Sequence, residues 1–204
     1  MMEVQATHRS PTSAPAAVVT RLLTPELWPE LERLFGPRGA TAGCWCQWVM
    51  LDRGERFDDL KGEPAHARLE AQVRGGRRGV LAFAGDEPVG WLAYGPRPGF
   101  ARIDRAPSLA CDDAEQVWSL PCFFVKSGWR GRGVASALLA AGIAAARAEG
   151  AKVLEGYPVR TSRREAAAFL WTGTVALFER YGFERVDGKA SGKVRMRLRL
   201  DPGL

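Results

Sequence analysis

The stretch that most constrains the fold is the apolar run VWSLPCFFV at residues 117–125, which leads through a short Arg- and Gly-rich loop into an Ala- and Leu-rich segment. An apolar run without alternating polar residues is typical of a central strand that is covered on both faces. Pro121 lies inside this run. Because proline has no N–H to donate to a neighbouring strand, Pro121 predicts a bulge or a place where the next strand moves away.

The segments on either side of this strand predict an α/β fold. Apolar spacing and the positions of glycines and prolines predict strands at 17–23, 79–85, 87–95, 117–125, 152–159, 183–186 and 193–200, and helices at 25–35, 64–76, 134–149 and 173–182. The early strands form an antiparallel meander, and the later strands alternate with helices.

The composition predicts one globular domain at 16–204. Of the 204 residues of the whole chain, 46% are hydrophobic and 25% are charged. Residues 1–15 are rich in Ser, Thr, Pro and Ala and have no apolar period. We therefore expect a flexible tail before the domain. There is no run of about 20 apolar residues that could span a bilayer, and the N-terminus lacks the pattern of a secretory signal. These features predict a cytoplasmic protein without a membrane partner.

The four cysteines predict packing thiols and no metal. Cys44, Cys46, Cys111 and Cys122 form no disulfide framework for a chain of this size, and the only histidines are His8 and His66. A tetrahedral set of four ligands is therefore hard to assemble. Buried thiols pack as small apolar groups, which is the interpretation we favour.

The loop RGRG at residues 130–133 has the features of an anion site. It joins the end of a strand to the start of a helix, where several N–H groups have no partner and the helix dipole is positive. Gly131 and Gly133 let an anion approach the backbone, and Arg130 and Arg132 supply countercharge. The loop matches neither the triphosphate nor the dinucleotide motif. By spacing alone, an ordinary turn before a helix is an equally good interpretation.

The sequence around this loop resembles the acetyl-CoA signature of GNAT-type N-acetyltransferases. In that signature a strand leads into R/QxxGxG/A and a helix, and the stretch VKSGWRGRGVASALL carries the pattern at 130–135. The pair Gly182 and Phe183, which follows a later helix, resembles a second landmark of the family. The resemblance covers about residues 17–200. It implies the GNAT acyl-CoA N-acyltransferase fold, a central mixed sheet with splayed central strands and flanking helices.

The same resemblance implies the function and the cofactor site. Acetyl-CoA is the cosubstrate, and the acetyl group passes to a primary amine of a small molecule or protein. Backbone groups of Phe123 and Val125 should bind the pantetheine arm. Phe178, which stands where many members carry a Tyr that protonates the thiolate, is also expected at the cofactor site. The amides that should hold the pyrophosphate belong to Arg130, Gly131, Arg132, Gly133, Val134 and Ala135. GNAT-like proteins are often dimers, which implies a homodimer here.

Three residues are candidates for the general base or for a residue that orients water. Ser119 stands about where family members often carry a Glu, Glu115 precedes it, and Glu155 lies on the next strand. Each has an alternative role as an ordinary strand or surface residue. His66, a lone His on an Ala-rich helix, is a weaker candidate.

The acceptor is not identified by the sequence. In the family, the first helices and the following loop cover the acceptor site, so Trp45 and Trp48 are expected to shape an apolar pocket. Their interpretation as core residues is equally good.

Two other functions stay open at this point. Because Phe178 replaces the Tyr, the chain could bind acyl-CoA without catalysis. Alternatively, the net charge of +6 and the alternating Arg195, Arg197 and Arg199 of the last strand permit a nucleic-acid-binding module. A solvated outer face is the simpler interpretation of these arginines. No aromatics interleave with them, which argues against a nucleic-acid partner.

Overall fold

The structure is a computed structural model, and it describes residues 17–159, 171–186 and 194–200. The predicted tail at 1–15 lies outside these ranges. The described residues form one seven-stranded sheet in the order β1-β2-β3-β4-β5-β7-β6. The strands are β1 Val18–Leu22, β2 Gly79–Ala84, β3 Glu87–Pro96, β4 Val117–Val125, β5 Val153–Gly156, β6 Glu184–Arg185 and β7 Met196–Arg199.

The sheet is mixed. β4 and β5 are parallel, whereas the other neighbouring pairs are antiparallel. The α-helices are α1 Trp28–Phe35, α2 Phe57–Leu60, α3 Glu63–Arg74, α4 Ala101–Asp104, α5 Val134–Ala148 and α6 Val175–Arg180. Short 3₁₀ helices lie at Pro25–Leu27, Trp48–Met50, Arg97–Gly99, Pro107–Leu109, Ala114–Gln116 and Ser127–Trp129. The α/β prediction is confirmed.

The two faces of the sheet carry separate apolar clusters. Successive residues of β2 alternate between them: Val80 packs in the cluster that includes Leu138 of α5, and Leu81 packs in the cluster that includes Leu31 of α1 and Leu69 of α3. Helices therefore cover both faces, as expected for a sheet whose central strands are almost wholly apolar. β3 is buried along all but its terminal residues.

The first predicted helix begins as a 3₁₀ turn. The carbonyl of Thr24 accepts a hydrogen bond from the Leu27 amide at 3.0 Å, but its side chain makes no cap bond. α1 ends at Gly36, whose φ of 67° is in the left-handed region that glycine adopts without strain.

β5 and β7 are shorter than the strands predicted for them. β5 has ladder partners only over Val153–Gly156, where β4 lies on one side and β7 on the other. Beyond Gly156 the ladder with β4 ends, and the segment makes only an isolated parallel bridge, from Val159 to Thr174. Periodicity alone cannot reveal this, because strand length depends on the neighbours.

The prediction for Pro121 is confirmed. Between β3 and β4, Ala93 pairs with Cys122 and Gly95 pairs with Ser119, so the pairing register shifts beside Pro121. β4 pairs with β5 only from Val117 to Leu120. From Pro121 onward β4 follows β3 alone, and the two central strands diverge.

The arginines in and just before β7 differ from the expected solvated row. Arg197 donates to both carboxylate oxygens of Asp113 at 2.7 Å and to Glu155 Oε1 at 2.6 Å. Arg195 donates to the carbonyl of Ala110 at 2.8 Å, and its side chain is 14% exposed. Only Arg199 is exposed. Two of the three guanidinium groups therefore bind inside the protein and are not offered to a nucleic acid.

Candidate functional site

The loop between β4 and α5 has the backbone geometry that its glycines predict. A 3₁₀ turn at Ser127–Trp129 precedes it, and Gly133 is the N-cap residue of α5. Gly131 has a φ of 74° and Gly133 a φ of 81°. No protein atom lies within 4 Å of a Cβ built at either position. These glycines therefore fold the loop and leave its outer side open.

The amides of this loop and of the first turn of α5 point away from protein acceptors. Within the described ranges no acceptor bonds the N–H groups of residues 131–136, and the first helical bond runs from Ala137 to the Gly133 carbonyl at 3.0 Å. α5 has 15 residues, long enough for its dipole to place positive potential at these N–H groups. Such a run of N–H groups binds an anion.

A cavity of about 490 Å³ opens beside these amides, between the loop, the diverging end of β4 and α6. It is lined by Thr41, Phe123, Phe124, Val125, Trp129, Arg130, Gly131, Gly133, Val134, Ala135, Ser136, Trp171, Gly173, Thr174, Leu177 and Arg180. We call it the loop cavity. Seven of the nine residues predicted to bind the cofactor line it.

The other two predicted residues do not line the loop cavity. The Arg132 guanidinium lies over the Trp129 ring, 5.2 Å from its centroid. Phe178 is fully buried and packs edge-on against Phe123 and Phe183, with ring centroids 6.0 and 4.9 Å apart. The position where family members often carry a proton-donating Tyr is thus a core position here. Tyr181 instead bonds Ser136, which lines the cavity.

The Phe123 amide already has a partner. It donates to the Trp171 carbonyl at 2.6 Å, so the segment at Trp171 lies along β4 where β5 is absent. Of the two backbone groups assigned to the pantetheine arm, the one at Phe123 is therefore occupied in this structure.

Sequence reasoning missed several cavity residues. Trp129, Trp171, Thr174, Leu177 and Arg180 all line the loop cavity. Thr174 had a local signal, since it caps α6 by accepting from the Leu177 amide at 3.2 Å. No local signal in the sequence marks Arg180, because its place beside the loop cavity depends on how α6 packs.

A second cavity, of about 400 Å³, adjoins the first and is almost wholly apolar. It is lined by Phe35, Ala40, Thr41, Ala42, Cys44, Cys46, Trp48, Val49, Phe57, Trp91, Cys122, Phe123, Phe124 and Trp171. We call it the apolar cavity. The two cavities share Thr41, Phe123, Phe124 and Trp171. Trp48 lines the apolar cavity, in agreement with the expectation that it shapes an apolar pocket. Trp45 is instead a core residue, and its ring centroid lies 4.5 Å from that of His66.

The three candidate bases lie outside both cavities. Glu155 is fully buried and pairs with Arg97 at 2.5 Å and Arg197 at 2.6 Å. Ser119 is fully buried and shares a hydrogen bond with the Tyr157 hydroxyl at 2.7 Å. Glu115 is exposed on the 3₁₀ turn before β4. Their assignment as bases stays a prediction.

The Glu155 cluster is an internal electrostatic network. Tyr157 donates to Glu155 at 3.0 Å, and burial, with the Glu155 charge next, raises the pKa of Tyr157 well above its usual range. Hydrogen bonds from Arg197 lower the pKa of Asp113 to about 2. Because the cations and carboxylates satisfy one another, this geometry is typical of a structural network.

His66 lies on α3, outside both cavities. Its Nε2 is 2.7 Å from Glu32 Oε1, and it lines neither the loop cavity nor the apolar cavity. Among the described residues, no group of three or more His, Cys, Asp or Glu is placed to hold a metal ion. In the same ranges, none of the helices is long and apolar enough to cross a membrane.

The comparisons with known proteins identify the family. The chain matches the sequence model of the Acetyltransferase (GNAT) family over residues 44–183, which is more than half of its length. The chain therefore belongs to the GNAT family. A search of curated proteins found no significant match.

Solved structures share the fold. The GNAT domain of S. lividans PAT superposes with a TM-score of 0.55 at 18% identity, over 94% of this chain and 100% of that one. The PaiA N-acetyltransferase of Thermoplasma acidophilum, solved with coenzyme A, gives 0.53 at 14% identity over 90% and 99%. A ribosomal-protein-alanine N-acetyltransferase of Brucella melitensis gives 0.51 at 22% identity over 89% and 99%. At these identities the likeness shows the fold alone.

Proposed function

We propose that the protein is an acetyl-CoA-dependent N-acetyltransferase that acts on a primary amine of a small molecule or protein. One observation carries the proposal: the N–H groups of residues 131–136 lack acceptors among the described residues, and all of these residues except Arg132 line the loop cavity. Membership of the GNAT family supports acetyl transfer as the reaction.

The loop cavity offers matching groups for each part of the cofactor. Its amides and the Arg130 guanidinium suit the pyrophosphate, and Arg180 adds a second positive charge. The pantetheine arm would lie along Phe123–Val125, where β4 has no β5 neighbour. The Val125 carbonyl now accepts from Arg130 Nε at 3.2 Å, so this bond also has to adjust.

The reactive end of the cofactor would meet the acceptor where the two cavities join. Phe123, Phe124 and Trp171 line both cavities there, so an amine in the apolar cavity can face a thioester in the loop cavity. Holding both reactants in place supplies much of the rate of such a transfer. No carboxylate or histidine among the described residues lines either cavity. The proton from the amine therefore has to leave by water or by another group of the cavity.

The test is turnover with a panel of amines. Acetyl-CoA is supplied, and release of the CoA thiol is followed with aromatic amines, alkyl amines and peptides with a free N-terminus. The apolar lining predicts that amines with an apolar or aromatic body react best. The proposal predicts thiol release that depends on both the amine and the enzyme, with an acetylated amine as the product.

Two results would contradict the acetyltransferase proposal in different ways. Acetyl-CoA binding without turnover of any amine would favour the non-catalytic acyl-CoA sensor. Failure to bind any CoA compound would reject the cofactor assignment itself. A Gly133→Val variant serves as the control, since it should lose thiol release together with binding.

The proposal includes a cytoplasmic location and a homodimer. Acetyl-CoA and free thiols suit a reducing compartment, and the dimer follows from the family alone. Light scattering on the purified protein distinguishes one subunit from two.

A further inference from the structure

Cys46 is a buried thiol that faces the apolar cavity and receives two N–H donors. Its side chain is 2% exposed. Trp91 Nε1 lies 3.5 Å and Arg77 Nη2 lies 3.7 Å from its sulfur. Cys46 also has a φ of 56°, a left-handed conformation that is strained for a residue other than glycine. The chain therefore holds this sulfur in place at a conformational cost.

Arg77 lacks a carboxylate partner. Its other acceptors are Gln72 Oε1 at 3.2 Å and Met50 Sδ at 3.1 Å, both neutral, and its Nε is buried without a partner. No described Asp or Glu forms an ion pair with it. A partly buried guanidinium is stabilised by an anion, and the Cys46 thiolate is the group within reach that can provide one.

The neighbouring thiols also favour the thiolate form of Cys46. The hydrogen bond from the Cys122 thiol, together with Arg77 and Trp91, lowers the pKa of Cys46, although burial opposes this. The bond to Cys46 and burial raise the pKa of Cys122, and burial raises that of Cys44. Among the three cysteines of the cavity, the lowered pKa therefore belongs to Cys46 and the raised ones to Cys44 and Cys122.

Cys46 lines the apolar cavity beside Cys122, whose thiol bonds to it. Cys122 precedes Phe123 on β4, directly after the point where β4 leaves β5, and Phe123 lines both cavities. The thioester of a cofactor in the loop cavity would end at this junction. Cys46 is therefore a nucleophile on the acceptor side of the thioester.

We propose that Cys46 takes the acetyl group from acetyl-CoA before the amine does, so that the transfer has two steps. This proposal rests on the acetyltransferase function proposed above. In the first step the Cys46 sulfur attacks the thioester carbonyl carbon, a new C–S bond forms, the C–S bond to CoA breaks, and CoA leaves as a thiolate. In the second step a neutral amine attacks the Cys46 thioester, the C–N bond forms, and Cys46 leaves as a thiolate. The CoA thiolate takes a proton from water as it leaves, and the proton lost by the amine returns to water, so CoA can depart before the amine binds.

This route fits the absence of a carboxylate from the described lining of the cavities. A thiol of low pKa is a good leaving group, so the acetyl-cysteine reacts readily with an amine. Arg77 acts as a positioning residue, because it stabilises the Cys46 thiolate before the first step and after the second.

The first step can be tested without knowing the acceptor. Wild-type enzyme is incubated with acetyl-CoA and isotopically labelled CoA, with no amine present. The two-step route predicts that label enters acetyl-CoA faster than in the uncatalysed exchange, because the acetyl-cysteine returns its acetyl group to labelled CoA. Binding of acetyl-CoA is measured separately by thermal unfolding.

The outcomes separate the two proposals. Binding of acetyl-CoA without enzyme-dependent exchange overturns the role of Cys46 and leaves the acetyltransferase proposal standing. Absence of both binding and exchange overturns the acetyltransferase proposal and this one with it. Cys46→Ser should lose exchange but keep binding. Cys111→Ser, a matched control outside both cavities, should keep both.

A second measurement tests the thiolate directly. The rate of iodoacetamide labelling at Cys46, read by mass spectrometry of its peptide, should already be high at a pH where Cys111 is slow. Arg77→Gln should shift the pH midpoint of Cys46 labelling upward. A Cys46 that labels with the same pH profile as Cys111 would overturn the proposal, because it would not be a thiolate at neutral pH.

Discussion

The amide of Phe123 donates to the carbonyl of Trp171 at 2.6 Å, across the gap that opens where β4 leaves β5. The same two residues line both the loop cavity and the apolar cavity. A cofactor arm that bonds to β4 at this point has to exchange with the Trp171 carbonyl. If the cofactor binds as proposed, its binding would be coupled to the position of the segment before α6, and through it to Arg180.

Arg180→Ala is expected to weaken acetyl-CoA binding about twofold to fivefold, because an exposed charge pair contributes up to about 1 kcal/mol. Arg180 lines the loop cavity on the side opposite α5. Isothermal titration measures the effect. Arg185→Ala is the matched control, since Arg185 pairs with Glu179 on the surface and lines neither cavity. An equal loss in both variants would mean that Arg180 acts only through overall charge.

Glu155→Gln is expected to destabilise the fold by about 3–5 kcal/mol, because it leaves buried cations without their carboxylate. Glu155 pairs with Arg97 and Arg197 and is fully buried. Urea denaturation measures the loss, and Glu184→Gln, at an exposed residue, should change little. Unchanged stability with lost turnover would instead support the role of Glu155 as the base.

Asp113→Asn is expected to destabilise the protein at pH 7 by about 1 kcal/mol, a value discounted because the carboxylate is 39% exposed. Arg197 lowers the pKa of Asp113 to about 2. A carboxyl with a lowered folded pKa stabilises the fold above its unfolded pKa of about 3.9 and loses this contribution as the pH falls through 2.

The measurement is the difference in unfolding free energy between wild type and Asp113→Asn across this pH range. The difference should shrink as the pH falls from 4 toward 2. Asp112→Asn, at the exposed neighbouring residue, should show no such trend. A difference that grows at low pH would contradict the ion pair.

Phe178→Tyr is expected to destabilise the fold by about 1–3 kcal/mol, because the added hydroxyl is buried without a partner. The Phe178 ring packs so closely on β5 that a Cβ at Gly156 would lie 2.1 Å from it. The variant restores the family's Tyr but should not raise the rate of thiol release. A faster release would show that the hydroxyl reaches the thiolate, and that the core position moves when the cofactor binds.

Local signals in the sequence were enough to predict the open glycine loop and the divergence of the strands. Gly131 and Gly133 fix the loop through backbone conformations that only glycine adopts readily, and Pro121 removes one ladder donor. Both effects act within a few residues. They can be read without knowing which segments pack together.

The rest of the site depends on contacts between distant segments. Trp171 reaches Phe123 and Arg77 reaches Cys46 through the packing of elements that lie far apart in the chain. The ion pairs of Glu155 with Arg97 and Arg197 likewise join segments that are far apart in the chain. No periodicity or spacing encodes these contacts, so the sequence alone reveals neither the donors around Cys46 nor the partners of Glu155.

The most direct test of the cofactor site is thermal unfolding with acetyl-CoA, with CoA, ATP and single-stranded DNA as comparisons. A ligand at a hundred times its Kd adds about 2.7 kcal/mol to the unfolding free energy. Gly133→Val is compared with Gly150→Val, at the other end of α5, because both glycines have left-handed φ and open space around them. The account predicts a shift with the CoA compounds alone, kept in Gly150→Val and lost in Gly133→Val. No shift with any CoA compound, or one with DNA, would contradict it.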